Sequence, residues 1–371
     1  MRIRAGALLA AAGLLPVVLG ISPGAASAAP ADSVHVFLTG TVAFSPSDAW
    51  TVGWGGIDSS TADSESLHWN GKRWATVKTV DYGLTVNGLE GLSGTSGSNM
   101  WGVGWIQGNC LIEHYNGRKW AGVACPYKGV LSQLNAVNMR TSTDGWAVGF
   151  VTPSNNQVAF AEDWNGHHWT QVKTAPVSGS FIQLSSVVDL GPGNVLAVGF
   201  YETKSGGSFV QHELAEHWNG HAWQRVAVPR FGTASFLSGV SGSKSAGVTA
   251  VGGVAAGGHD VPLIERWTGS RFVRVSPPPG SGDLAAVTVL SKSSAYATGE
   301  TGRGDTLVEH YNGKRWARVS APSPADGGYL AAVAATRSGK LVEAAGWHRP
   351  EPDEVPLIEQ GNGRAWHITR D

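Results

Sequence analysis

Apolar and polar positions alternate in short bursts along this chain. The pattern is plainest in "LNAVNMRTSTDGWAVG", Leu134 to Gly149, followed after a variable stretch by "AFAEDWNGHHWTQVKTAP", Ala159 to Pro176. Apolar residues recur at every second place in Trp146-x-Val148-x-Phe150 and on both sides of Asn165-Gly166, with Ser, Thr, Asp and Gly between. That period predicts four short strands and leaves no room for a helix. The first two strands meet at a Ser/Thr/Asp-rich turn. The last two meet at Asn-Gly, where positive φ costs little.

The unit recurs seven times. Asn70, Asn116, Asn165, Asn219, Thr268, Asn312 and Asn362 are equivalent points, separated by 46, 49, 54, 49, 44 and 50 residues. Four residues after each stands an aromatic, from Trp74 to Trp366. Upstream of each stands a glycine (Gly53, Gly104, Gly149, Gly199, Gly252, Gly299, Gly346), preceded by a leucine 15 residues earlier, or 16 in the last copy. A period in the forties marks a propeller blade or a similar array. A lone four-stranded sheet exposes two apolar faces and needs like sheets on each side, and a ring of seven supplies them. The expected fold is therefore all-β, a seven-bladed β-propeller of four-stranded antiparallel blades. An open solenoid or a pair of sandwiches is the competing arrangement.

The N-terminus adds a leader. Arg2 and Arg4, an apolar run from Ala5 to Ile21 and Ala26-Ser27-Ala28 read as a signal peptide over 1–28, cleaved after Ala28. Residues 29–371 are then one propeller domain, with blades near 36–79, 86–126, 131–176, 181–229, 234–277, 281–322 and 327–371, located outside the cell and with no membrane span in the mature chain. "SVHVF", Ser33 to Phe37, could add an edge to the last blade beside "WHITRD", closing the ring. The mature balance is 25 basic against 28 acidic residues. So small a net charge argues against nucleic acid or anionic lipid as the main partner.

Cys110 and Cys125 flank the second Asn-Gly. If Tyr115 and Trp120 pair across a four-residue loop, the cysteines face each other and form a disulfide, as an oxidising compartment allows. A two-residue turn would put them out of register. No further soft ligand accompanies them, so no metal site is expected.

Repeat lengths locate the variable face. The glycine-to-Asn-Gly stretch runs 17, 12, 16, 20, 16, 13 and 16 residues, whereas Asn-Gly to aromatic is always four. In a propeller those variable loops share one face with the inter-blade links, and the constant hairpins lie opposite. Recognition falls to the loops. Candidate ligand-binding residues there are Trp54, Trp105, Phe150, Phe200 and Trp347, each following a blade glycine, together with Tyr201 and His348. Inter-blade packing is the other role open to these aromatics. The repeated Glu113, Glu162, Glu216, Glu265, Glu309 and Glu359 are distributed one per blade, which suits structure rather than acid/base chemistry between paired acids. No nucleophile elbow, phosphate loop or dinucleotide fingerprint is present. No cofactor and no catalytic residue is expected.

"STDGWAVG", Ser142 to Gly149, followed by "NGxxW", resembles the repeat of secreted actinobacterial propeller proteins of unassigned function. More distantly it is similar to Ycf48-like and Asp-box propellers, although Asp144-Gly145-Trp146 is more compact than an Asp-box. The resemblance covers residues 36–371 and implies the fold, with propeller lectins and interaction scaffolds as analogies. The expected function is a secreted, non-enzymatic module binding an extracellular glycan through the loop face. The alternatives are a protein-binding adaptor and, third, a propeller-type polysaccharide hydrolase or lyase.

Overall fold

A computed structural model describes residues 35–57, 61–127, 130–229, 232–350, 353–362 and 365–370. The predicted leader, 1–28, lies outside them. The chain forms seven four-stranded antiparallel sheets, each built from four consecutive strands in sequence order. One 3₁₀ turn, Pro153–Asn155, lies in a loop of the third blade. Among the described residues no helix is long and apolar enough to cross a membrane.

Alternation along each strand decides which neighbour a side chain meets. In the second strand of blade 3 (Asp144–Val151), Trp146 and Val148 pack into blade 4, whereas Ala147 and Val151 pack into blade 2. Every blade does this, so the core is divided into seven inter-blade layers, one per interface. The aromatic after each Asn-Gly fills the outer part of its layer. Trp169 meets Trp101 of the preceding blade edge to face at 5.4 Å, and Trp223 meets Trp146 at 5.1 Å.

The spaced leucine and glycine share one cause. In all seven blades the residue after the leucine is a β-bulge on the innermost strand. The bulge folds the inner backbone over the second strand at the glycine. A Cβ on Gly149 would lie 1.9 Å from the Gln133 carbonyl oxygen, and one on each of the other six glycines would lie 1.8–2.1 Å from the equivalent carbonyl of its own blade. Only glycine fits. Bulged side chains also tie neighbouring blades: Thr39 Oγ1 donates to Leu89 O (2.7 Å) and Asn135 Nδ2 to Leu184 O (2.8 Å).

Ring closure departs from the expectation. His35–Ser45 is the innermost strand of blade 1, paired with Asp48–Gly56, and does not extend the last sheet. Trp366–Arg370 is the outer strand of blade 7. The two end blades meet through the Val36 N–H to Glu354 O bond (2.8 Å), Trp74 Nε1 to Thr369 Oγ1 (3.2 Å) and a buried apolar layer that contains Leu38, Leu341 and Ile358. This layer also inverts the usual polar pattern. Leu67 occupies the glutamate position, and the buried carboxylate comes instead from Glu343 of blade 7, which accepts from Thr41.

The four-residue hairpin is present in blade 2: Tyr115 pairs with Trp120, and Asn116 Oδ1 accepts from the Arg118 and Lys119 amides (3.0 and 3.1 Å). Gly117 takes φ of +85°, which favours glycine. Cys110 and Cys125 lie at disulfide distance, with Cα atoms 6.1 Å apart.

Candidate functional site

The loop face surrounds the mouth of a central channel of about 670 Å³. The bulged residue of every inner strand shapes it, and in five blades so does the residue preceding the leucine. Bulging turns both inward, so the lining is set by Thr39, Glu90, Asn135, Ser185, Ser238, Ala285 and Ala331 in one ring. Gln133, Gln183, Phe236, Asp283 and Tyr329 contribute to the next. Phe200, Trp347, Glu300 and the His259–Asp260 segment of blade 5 add to the wall. The mouth is acidic as well as aromatic. Glu90 accepts from Trp105 Nε1 (2.9 Å), and burial still pushes its carboxyl up to about 7. Asp283 and Glu300 are cross-strand partners beside Tyr329, and burial together with these two charges holds the phenol well above its usual range. The lining includes His259 but neither lysine nor arginine.

The seven predicted contact residues are divided among three settings. Trp54, Phe150 and Trp347 are 8%, 1% and 3% exposed. Phe37 separates the two indoles, at 4.4 Å from Trp54 and 5.1 Å from Trp347, so they serve as wall rather than open platforms. Phe200 lines the channel, and Trp105 reaches it only through its hydrogen bond to Glu90. Tyr201 and His348 lie outside it, His348 donating from Nδ1 to Asp326 (3.0 Å). The acids and amides of the mouth escaped sequence reasoning because they differ from blade to blade; their fixed offset from the repeated leucine is the signal that would have found them.

The loop face also carries exposed apolar side chains. Among the described residues the exposed large hydrophobic side chains are Ile57, Leu84, Leu131, Phe181 and Phe209. All five belong to second-to-third-strand loops, inter-blade links or strand ends on the loop face. Phe181 and Phe209 meet edge to face at 6.1 Å, and Phe181 is held at φ of +46°. Leu84 is fully exposed.

A second cavity, about 580 Å³, opens between blades 4 and 5 and includes Tyr201, His212, Glu213, Arg225 and Ser235. The Arg225 guanidinium lies 4.9 Å from the Tyr201 ring centroid. Beneath it the expectation of isolated acids fails, because buried Glu213 of blade 4 couples to buried Glu265 of blade 5. Burial raises both; the hydrogen bond between them favours the Glu213 carboxylate and holds the proton on Glu265, whose carboxyl is pushed up to about 9. The pair forms because Glu213 is an extra carboxyl, outside the repeated set, on the wall that blade 5 presents its own glutamate to.

The repeated carboxyls themselves are fully buried and point toward the preceding blade. Glu216 accepts from the Ala175 amide of the incoming link at 3.0 Å. Burial pushes Glu113, Glu216 and Glu309 up to about 7, and Glu162 and Glu359 up to about 8. Glu162 Oε1 approaches Cys125 Sγ at 3.2 Å; a disulfide sulfur carries no proton, so the carboxylic acid is the donor. Cys110, Cys125 and Glu162 would make a metal-ligand trio only as thiolates, which the disulfide removes. The repeated histidines are structural too. His68 stacks on Trp50 and donates to Asp48 (3.1 Å), and His114 does the same with Trp101 and Asn99 (2.7 Å).

No protein-family profile and no curated protein matches the chain. Solved propellers do. YCF48 from Cyanidioschyzon merolae is 17% identical, with TM-score 0.53 over 86% of this chain and 94% of that one. The WD40 repeats of RRP9 are 11% identical, with TM-score 0.55 over 89% and 98%. The Pyrococcus horikoshii acylaminoacyl peptidase is 8% identical, with TM-score 0.57 over 91% of this chain but 52% of that enzyme. At such identities the likeness is one of fold.

Proposed function

We propose that this protein is a secreted, non-enzymatic binding module whose loop face docks a segment of another extracellular protein. The carrying observation is the placement of all five exposed large apolar side chains of the described residues on that face. Aliphatic groups such as Leu84, Leu131 and Ile57 suit protein contact, where apolar anchors lose water. The acidic mouth suits a basic or hydrogen-bond-donating side chain inserted at the centre. Burial of Trp54, Phe150 and Trp347 takes weight from a lectin built on those rings. A cell-surface glycan is the second reading, favoured by the amides of Gln133, Asn135 and Gln183 in the channel wall.

Capture of a protein from the culture medium, followed by titration of the purified partner, tests the first reading. Leu84→Asp and Phe209→Asp should each weaken that partner at least ten-fold with melting unchanged, and Glu90→Gln should weaken it less. A glycan array in which neutral sugars bind the wild type and lose that binding with Gln133→Ala and Gln183→Ala in the channel wall, while no protein is captured, would replace the adaptor with the lectin. N-terminal sequencing of protein recovered from medium should begin at residue 29.

A further inference from the structure

The net charge conceals a separation by face. Take the turns that close the hairpin side of the disc, both those between first and second strands and the Asn-Gly tips. Their described residues contain eleven lysines and arginines and neither aspartate nor glutamate. The loop-face connections carry both signs, with Asp81, Asp305 and Asp326 against Lys78, Lys173 and Arg303.

The cations lie on an arc. Blades 1, 2 and 6 present the dibasic tips Lys72-Arg73, Arg118-Lys119 and Lys314-Arg315, all exposed. Blade 5 adds Lys244 and Arg271. Lys292 of blade 6 and Arg337 and Lys340 of blade 7 continue the series, and blade 7 adjoins blade 1, so the arc runs unbroken from blade 5 to blade 2. Acids near this face are half-buried or buried and engaged: Asp48 with Trp50 and His68, and Asp144 and the buried Asp189 with Arg140. Asp144 and Asp189, like half-buried Asp163, belong to blades 3 and 4, where the tips carry histidine instead. The tips are also held in place. Asn70 and Asn312 accept from the amides of their own dibasic pairs at 3.0–3.1 Å, so little order is lost on binding.

We infer that this face is a second binding surface, for a polyanionic glycan: an extended polysaccharide bearing sulfate, phosphate or carboxylate groups that crosses from tip to tip. Charge complementarity selects the polyanion. The glycan is favoured over a membrane because among the described residues this face lacks the exposed large apolar side chains that firm anchoring needs besides charge; those exposed lie opposite. Single-stranded nucleic acid calls for free aromatic faces. Here the aromatics beside the tips lean on their hairpin partners, as Trp69 on Trp74 (5.6 Å) and Trp164 on Trp169 (5.5 Å), with each of the two indole N–H groups spent on a turn carbonyl.

Titration of the full folded chain at low salt with a sulfated heparin-type oligosaccharide tests the inference. Neutral dextran, a short oligothymidylate and vesicles of equimolar phosphatidylglycerol and phosphatidylcholine run in parallel. The sulfated sugar should bind, weaken steeply as salt rises, and lose at least ten-fold with K292E/K314E/R315E. The neutral K292Q/K314Q/R315Q should fall between, and the loop-face pair K78E/K204E should bind as the wild type. Melting of the wild type and both triple variants should coincide, since these side chains are exposed. Absence of binding, equal loss in K78E/K204E, or oligothymidylate or vesicles binding as tightly as the sugar would each overturn it. Because protein docking is read on the other face, L84D and F209D should leave sugar binding intact.

Discussion

The two faces of this disc come from the same seven modules, yet they divide its chemistry. The hairpin face is constant in length, basic at its turns and free of large exposed apolar groups among the described residues. The loop face is variable, mixed in charge, and carries Ile57, Leu84, Leu131, Phe181 and Phe209 around an acidic channel. The difference follows from what each connection must do. A four-residue Asn-Gly hairpin has to reverse the chain tightly, so its length and backbone are set, and only the outward side chains are free to acquire charge. Loops between the second and third strands bridge whatever gap the blades leave, so length and polarity can both drift.

Separating scaffold from face is the sharpest way to break this comparison. The largest effect should come from the shared core. Trp169→Ala empties the layer between blades 2 and 3 and should cost about 3–5 kcal/mol in urea unfolding. Gly149→Ala forces a Cβ against the Gln133 carbonyl and should cost about 3 kcal/mol. Either loss would disturb both faces together; a variant near wild-type stability would dismiss the bulge as the reason for the glycine.

Next comes the disulfide, which closes a loop across one constant hairpin. Cys110→Ser with Cys125→Ser should lower stability by about 3 kcal/mol in the chain-entropy picture, and reductant should do the same to the wild type. No shift of the unfolding midpoint on reduction would mean the pair contributes nothing.

Buried carboxyls should then show in the pH dependence. Glu113, Glu162, Glu216, Glu309, Glu343 and Glu359 have folded values raised from the usual 4.5 to about 7 or 8. The folded chain therefore holds protons that the unfolded chain releases, and stability falls as pH rises through that window. His114, His217 and His310 are lowered by burial and act oppositely below about 6.5, but the glutamates outnumber them. Melting should be several degrees higher at about pH 5.5 than at about pH 8. Glu162→Gln should flatten the slope, and a melting point that climbs with pH would refute the burial account. Smallest is the tip itself: Asn116→Ala removes two hydrogen bonds and should cost about 1 kcal/mol.

Blade number, strand order within each blade and the hairpin register were readable from the chain because each depends on local rules. Alternation sets the strands, Asn-Gly sets the tip, and the spacing of leucine, glycine and aromatic repeats without regard to what lies across the ring. Tyr115, Trp120 and the two cysteines could be paired by counting for the same reason. What the loop-face aromatics do could not. Trp54 and Trp347 lie on neighbouring blades only because the ring closes between the seventh and the first, and Phe37 fills the space between them. The bulge was equally hidden, since its sign in the sequence is merely a glycine. The coupling of Glu213 to Glu265, the acid ring of Glu90, Asp283 and Glu300, and the arc of lysine and arginine tips bring together residues tens to hundreds of positions apart. Short-range pattern fixes each module, but proximity between modules is a property of their packing, and only the assembled disc decides it.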